Sequence, residues 1–506
     1  MLRRTLFGTT FLSATVLFAQ AASAQVSVDD VRAAFTAHME SLGGQVFETA
    51  ETEGADTVMT GNAILFRAPL GVGTLRVVLP DYRMTPQSDG TVTLTYPETF
   101  TYRVEVDVPS EGAGTLAIEM TQSGYEYIAS GTPGDVTFAQ SADSFRFEVS
   151  SLDGLDDFFD LSMVGQGTDL TFNTRVEVGD MVTSTIISQN GPIEMAMAVR
   201  NPNGTVVTDT SQLGANESTV TTSFPVGGSD IMNLSPVFAA GAFIRGTIDD
   251  AGGTSETITS IDGDVVSEEF QKTSQTISRF SIDKDGLDLS AESGPAEFRV
   301  MIPEMGPVPI EGSVAGGAGA LLLPLMASEA AQNFGMRLDV QDLTLSEDVW
   351  GLFDATGDLP RDPVSMNMDV SGTVMSEIDV FDFAALEQQM NGAIPPVSLE
   401  SLTINELSVD AIGASALASG AFIVDNSDTT TFDGFPRPEG SAILTVSGAN
   451  ALLDRLVALG VLGSDEAGMA RLGMGFIARS TGDDAFETRL DVNTDGHVIV
   501  NGQRMR

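Results

Sequence analysis

Nucleophile-and-base chemistry most often runs through histidine, and this chain has two, His38 and His497. They stand at opposite ends of the sequence, and nothing in their spacing brings them together. His38 falls one residue off the apolar stripe of an N-terminal helix and is read as a partly exposed helix residue. His497 follows Thr494-Asp495-Gly496 and is read as a hairpin residue that opens the last strand. There is no cysteine. Thiolate chemistry, cysteine metal sites, disulfides and a lipid anchor on cysteine are therefore excluded. No HExxH, GxSxG or Walker sequence occurs.

Asp491-Val492-Asn493-Thr494-Asp495-Gly496 matches the first half of an EF-hand calcium loop, but Gly502 stands where the bidentate glutamate belongs. A strand, a turn over 491–496 and a second strand fit that spacing better. Paired carboxylates could hydrolyse a glycosidic bond. With 71 acidic residues no pair stands out, and Trp350 is the one tryptophan available to stack on a sugar. Trp350 is read instead as closing a core beside Val349 and Leu352. No catalytic, cofactor-binding or metal residue is assigned, no cofactor is expected, and the expectation is a non-enzymatic protein.

The formal charge of -47 repels phosphate backbones and anionic headgroups, so a nucleic-acid role is excluded. Arg3-Arg4, the apolar run Leu6–Phe18 and Ala22-Ser23-Ala24 have the layout of a cleavable secretory leader. Residues 1–24 are expected to be a signal peptide. The mature chain, 25–506, is expected to be a periplasmic, β-rich single domain, elongated, with a division into halves near 250–270. The most apolar later stretch, Val314–Met326, is too short and too rich in glycine to cross a bilayer and is read as a loop and helix.

The elements that would position any site are mostly strands. Ser27 and Asp30 form a capping box for a first helix with Val28, Val31, Phe35, Met39 and Leu42 on one face. Period-two alternation follows at Val92-Leu94-Tyr96, Leu116-Ile118-Met120, Phe298-Val300-Ile302 and Val364-Met366-Met368-Val370. Turn signals such as Asn203-Gly204 and Asp285-Gly286 fall between such runs. The fold class is mainly β with a few helices (α+β). Extended, curved antiparallel sheets would form a groove or elongated sandwich. Covering helices are expected near Pro236–Phe243, Leu321–Phe334, Glu347–Phe353, Ala449–Leu459 and Ser464–Phe476.

One stretch resembles a family of exported bacterial proteins known as domain-of-unknown-function family twenty-one twenty-five. It is carried by Asp342-Leu343-Thr344-Leu345-Ser346-Glu347, Trp350, Asp354, Leu359-Pro360-Arg361-Asp362-Pro363 and Met368-Asp369-Val370-Ser371-Gly372. The resemblance continues through Leu402, Ile404, Leu407, Val409, Gly413, Ser419-Gly420, Asp425, Pro438-Glu439-Gly440, Leu452-Leu453, Gly460 and Val500-Asn501-Gly502. The layout is also similar, more loosely, to AsmA-like envelope proteins, whose sheets curl into a groove. That likeness implies lipid handling.

A sheet with one continuous apolar face must cover it with helices, a partner or an acyl chain. The leading expectation is a periplasmic protein that binds a lipid or an amphipathic protein segment in an apolar β-groove. A structural or adaptor envelope protein acting through sheet edges is the alternative, and a carboxylate-based hydrolase follows. The question left open is whether that face is a groove or a closed core.

Overall fold

The computed structural model describes residues 25–68, 72–109, 112–154, 159–228, 233–383, 385–386 and 397–506. The leader assigned to residues 1–24 lies outside them. The described residues form one antiparallel sheet of 31 strands. Hydrogen bonding runs unbroken through 250–270, where Thr205–Leu213, Gly253–Ile261 and Asp264–Thr273 are neighbours.

The sheet is creased. Asp135–Asp153 and Asp160–Val178 cross its full width. From Met181 to Leu323, each pass of the chain is two collinear strands with a short break between them. Met181–Asn190 runs into Ile193–Arg200, and Phe243–Asp250 into Gly253–Ile261. Asp264–Thr273 runs into Thr276–Asp283, Gly286–Ser293 into Ala296–Met301, and Ile310–Val314 into Gly316–Leu323.

The breaks adjoin one another across the sheet. Gly191 N–H donates to Thr168 O, Gly214 to Gly252, Ser274 to Pro295, Gly294 to Gln275 and Ala315 to Gln341. Asp169 and Asp342, with φ near 55° and 50°, lie on the same line in longer strands. Gly252 is required there. Its φ is +85°, and a Cβ would stand 2.2 Å from Thr273 O.

The crease also explains a phase change in the sequence. Val182 and Ile186 face one side before the break, and Ile193, Met195 and Met197 after it. Leu287 and Leu289 give way to Phe298 and Val300, and Met336, Leu338 and Val340 to Leu343 and Leu345. An added residue shifts the alternation by one, as a bulge does, and so keeps the apolar set on one face. Strand Val397–Ala411 does this twice. Val374, Gly372, Val370, Met368 and Met366 pair with Leu399, Leu402, Ile404, Leu407 and Val409 across bulges.

Five helices are described: α1 (Val28–Ser41), α2 (Ser235–Ala239), α3 (Glu347–Gly351), α4 (Ala449–Ala458) and α5 (Ser464–Ile477). The capping box at Ser27 and Asp30 is present. The helix expected over Leu321–Phe334 is a correction. Gly316–Leu323 and Gln332–Leu345 are strands paired with each other, so Val314–Met326 is not a loop and helix. Glycine and alanine at 316–320 have little side chain with which to show alternation, and Leu322 lies on the face opposite Leu321 and Leu323. Three adjacent leucines therefore imitate a helix. No described helix is long and apolar enough to cross a membrane.

Candidate functional site

The apolar face has two fates. At its N-terminal end α1 lies on it. Val31 and Ala34 pack with Met59, Met84, Val92, Leu94, Val136, Phe138, Val176 and Val182 in one buried cluster. All five tyrosines lie between positions 82 and 127. Tyr82 and Tyr96 stack there with ring centroids 4.9 Å apart, and Tyr127 stacks on Tyr96 at 6.2 Å. Burial pushes the Tyr82 and Tyr127 hydroxyls well above their ordinary range.

His38 belongs to this seal and is not a surface residue. It is 6% exposed, and its Nδ1 meets Ser184 Oγ at 2.7 Å. Burial depresses its pKa. The helical turn carries position 38 from beside the apolar stripe onto the sheet, where Ser184 satisfies the ring. Further along the same rim, α2 places Phe238 on Phe224 and Phe381, with Ile244, Ile282, Leu325 and Met326 around them.

Beyond that rim the face is open. Phe280, Leu289, Leu321, Met336, Leu338 and Met368 line a trough of about 600 Å³. Cross-strand register brings them together: Phe280 pairs with Leu289, Leu289 with Leu321, Leu321 with Met336, and Leu338 with Met368. Met336, Leu338 and Leu289 are 46%, 40% and 36% exposed. Ala291 and Gly319 form a low part of the floor, and a Cβ on Gly319 would have nothing closer than 3.9 Å. The Leu287-Leu289-Ala291 alternation announces one wall. The helix expected at 321–334 hid the strands beside it.

The other residues with chemical promise have structural partners. Asn493 Oδ1 accepts from the backbone N–H of Asp495 at 3.1 Å and His497 at 2.9 Å, so 491–496 is a side-chain-capped hairpin turn. Asp491 accepts from Arg489 at 2.7 and 2.9 Å. No contact joins His497 to His38. Among the described residues, no group of three or more His, Asp or Glu side chains could hold a metal ion.

Trp350 is buried beside Val349 as expected, but Leu352 is 61% exposed. The Arg361 guanidinium covers the indole instead, 4.5 Å from the ring centroid. Arg361 also donates to the buried Asp354 carboxylate, which accepts from Asp358 N and Leu359 N at 2.9 and 3.0 Å. Burial would raise the Asp354 pKa, yet these donors hold it at about 2. Other residues of the resembling stretch have equally local work. Asp342 turns the crease, Ser346 Oγ caps α3, and Gly372 lies under the Phe334 ring.

No protein-family model matches the chain, and neither a curated protein nor a solved structure does.

Proposed function

We propose that this is a non-enzymatic periplasmic protein that holds the acyl part of a lipid in the apolar trough. The observation that carries the reading is the open face at Phe280, Leu289, Leu321, Met336, Leu338 and Met368. The face closed by α1 is apolar for the sake of a core, whereas Leu289, Met336 and Leu338 here remain more than a third in water. Covering them with an alkyl chain releases about 0.8 kcal/mol per methylene before ordering costs. Two methionines suit a chain that bends, since thioether side chains adapt to irregular partners. The layout resemblance to AsmA-like envelope proteins points the same way but rests on fold-level analogy.

An amphipathic protein segment is the other occupant considered, but laid in as an extended strand its backbone would need polar partners that the trough lacks. The adaptor reading draws no support from the lateral edges. The first strand, Gln45–Glu53, carries Glu48, Glu51 and Glu53 and a bulge after Phe47, and the last, Gln503–Arg504, is two residues long. Such edges resist strand addition. A hydrolase would need an unoccupied acid pair in a cleft, and the most buried carboxylate, Asp354, is taken up by Arg361.

Native mass spectrometry of gently purified protein tests the proposal. Bound species spaced as lipids are expected, and they should disappear when the trough is filled by substitution. A protein that carries no lipid and acquires none from vesicles would sink it.

A further inference from the structure

Helix α5, expected as a covering helix, is mounted the other way round. Its inward side carries Ala467, Arg471 and Met474, at i, i+4 and i+7. Ala467 is buried, and Arg471 ties the helix to α4. The guanidinium donates to Asn450 Oδ1 at 3.1 Å, to Asn450 O at 3.2 Å and to the Asp454 carboxylate at 2.6 Å. The opposite side carries Met469, Leu472 and Phe476, at i, i+3 and i+7, and these are 70%, 61% and 74% exposed. A helix that covers a core points such residues inward. Among the described residues nothing lies over this outer side. A Cβ on Gly473, or on Gly468 and Gly475 at its margin, would meet no atom within 4 Å. Three glycines also weaken the helix in water, so an apolar surface laid against its outer side would stabilise it.

Charge is distributed to match. Residues 449–506 hold 6 basic residues against 8 acidic ones, a formal charge of -2. Residues 1–448 hold the other 18 against 63, a charge of -45. From Ala467 to Gly482 there is no acid at all. Exposed Arg479 follows the helix, and Arg489 lies at the same helix end, where Asn501 donates to Ile477 O at 2.9 Å and to Arg489 O at 2.8 Å. Arg479 and Arg489 bond to Glu487 and Asp491 at 3.2 and 2.7 Å, pairs near the surface and weak enough to be shared with a lipid phosphate.

We propose that α5 docks flat on the surface of a lipid bilayer, with Met469, Leu472 and Phe476 among the outermost methylenes and Arg479 and Arg489 at the headgroup phosphates. The inference goes beyond the acyl-binding reading and does not rest on it. A second copy of the chain fits the face poorly. A helix of this length is about 21 Å long and 10 Å across, so one side of it offers roughly 300–400 Å². A stable dimer needs about 800 Å² per partner. A convex apolar side with cations at its end suits the headgroup boundary, where the side chains need sink only about 5–10 Å. The charge on residues 1–448 turns the other surfaces away from lipid phosphates and leaves this end as the approach of least repulsion.

The test floats the purified protein with vesicles of equal parts phosphatidylcholine and phosphatidylethanolamine at about 0.15 M salt. The protein should rise with the vesicles. Leu472→Ser/Phe476→Ser should lower the floated fraction at least about fivefold with the thermal midpoint unchanged, since both side chains already stand in water. The control Met305→Ser/Ile423→Ser, equally exposed but elsewhere, should float like the wild type. Phe476→Trp should float too, and its added emission should shift to the blue, whereas buried Trp350 contributes a constant. No flotation of the wild type, equal flotation of the Leu472/Phe476 variant or an equal loss in the control would overturn the proposal. So would a change in the oligomeric state of the Leu472/Phe476 variant by light scattering, which would give the face to a second copy. Loss of flotation in Gly319→Phe, with the Leu472/Phe476 variant still floating, would place the contact at the trough and leave acyl binding standing. Flotation that depends on α5, with no lipid retained once the vesicles are removed, would uphold the docking face and overturn the acyl reading.

Discussion

Two stretches of one sheet face, built from the same alternation, end differently. At Met59, Met84, Val136 and Val182 the face is sealed by α1, and each of these residues is at most 1% exposed. At Leu289, Met336 and Leu338 the same kind of side chain stays more than a third exposed. The strands do not differ in propensity or in pairing. What differs is whether a helix precedes them in the chain and folds back. A continuous apolar face is therefore not evidence of a core, and the covering element decides its role.

The largest expected contrast follows directly. Met59→Ala should cost about 2–5 kcal/mol, because a sealed site cannot collapse around the lost atoms. Met336→Ala should cost less than about 1 kcal/mol, because much of its surface is already in water. The ranking should invert for ligand, with Met336→Ala lowering retained lipid and Met59→Ala leaving it intact wherever the protein is folded. Urea denaturation and lipid quantification on both variants check this. Equal stability losses would mean that the trough is closed in solution.

Much of the fold was legible, and the failures have physical causes. Alternation at Val364-Met366-Met368-Val370 and the Ser27/Asp30 box were read correctly because large apolar side chains and a capping pair leave unambiguous periods. Gly316–Leu323 was misread because small residues carry no period and Leu321-Leu322-Leu323 carries every period at once. The crease was invisible as a feature, since each phase slip looks like the end of one strand and the start of another. Only the hydrogen bonds across the breaks, such as Gly214 to Gly252 and Ser274 to Pro295, show that the slips form one line. The trough was foreseen as a question and not as residues. His38 was misplaced because one step on a helix turns a side chain by about 100°, enough to move it from the margin to the buried face.

Filling the trough sharpens the comparison without touching the seal. Gly319 sits on the floor with open space where a side chain would go. Gly319→Phe should occupy the volume an acyl chain needs and reduce retained lipid severalfold. The cost in stability should stay within about 1 kcal/mol, since an aromatic residue suits a strand better than glycine. Unchanged lipid retention in a folded Gly319→Phe protein would remove this trough from consideration.

The smallest effect concerns the seal alone and depends on pH. The His38 ring is buried against Ser184, and burial disfavours its charged form, so its folded pKa lies below the ordinary 6.5. The sign follows from the protons bound. Above 6.5 neither the folded nor the unfolded chain holds the proton, and the seal has its full stability. As pH falls below 6.5 the unfolded chain takes up a proton that the folded chain resists, and stability is lost until the depressed folded value is passed. Protection factors of the α1 amides should therefore fall as pH drops below 6.5, while those of Gly286–Ser293 beside the trough change less. His38→Gln, which can still bond to Ser184, should remove the additional response in α1. If α1 in that variant loosens with acid as much as before, carboxylates and not His38 govern the seal, and the pH-dependent difference between the two regions has another origin.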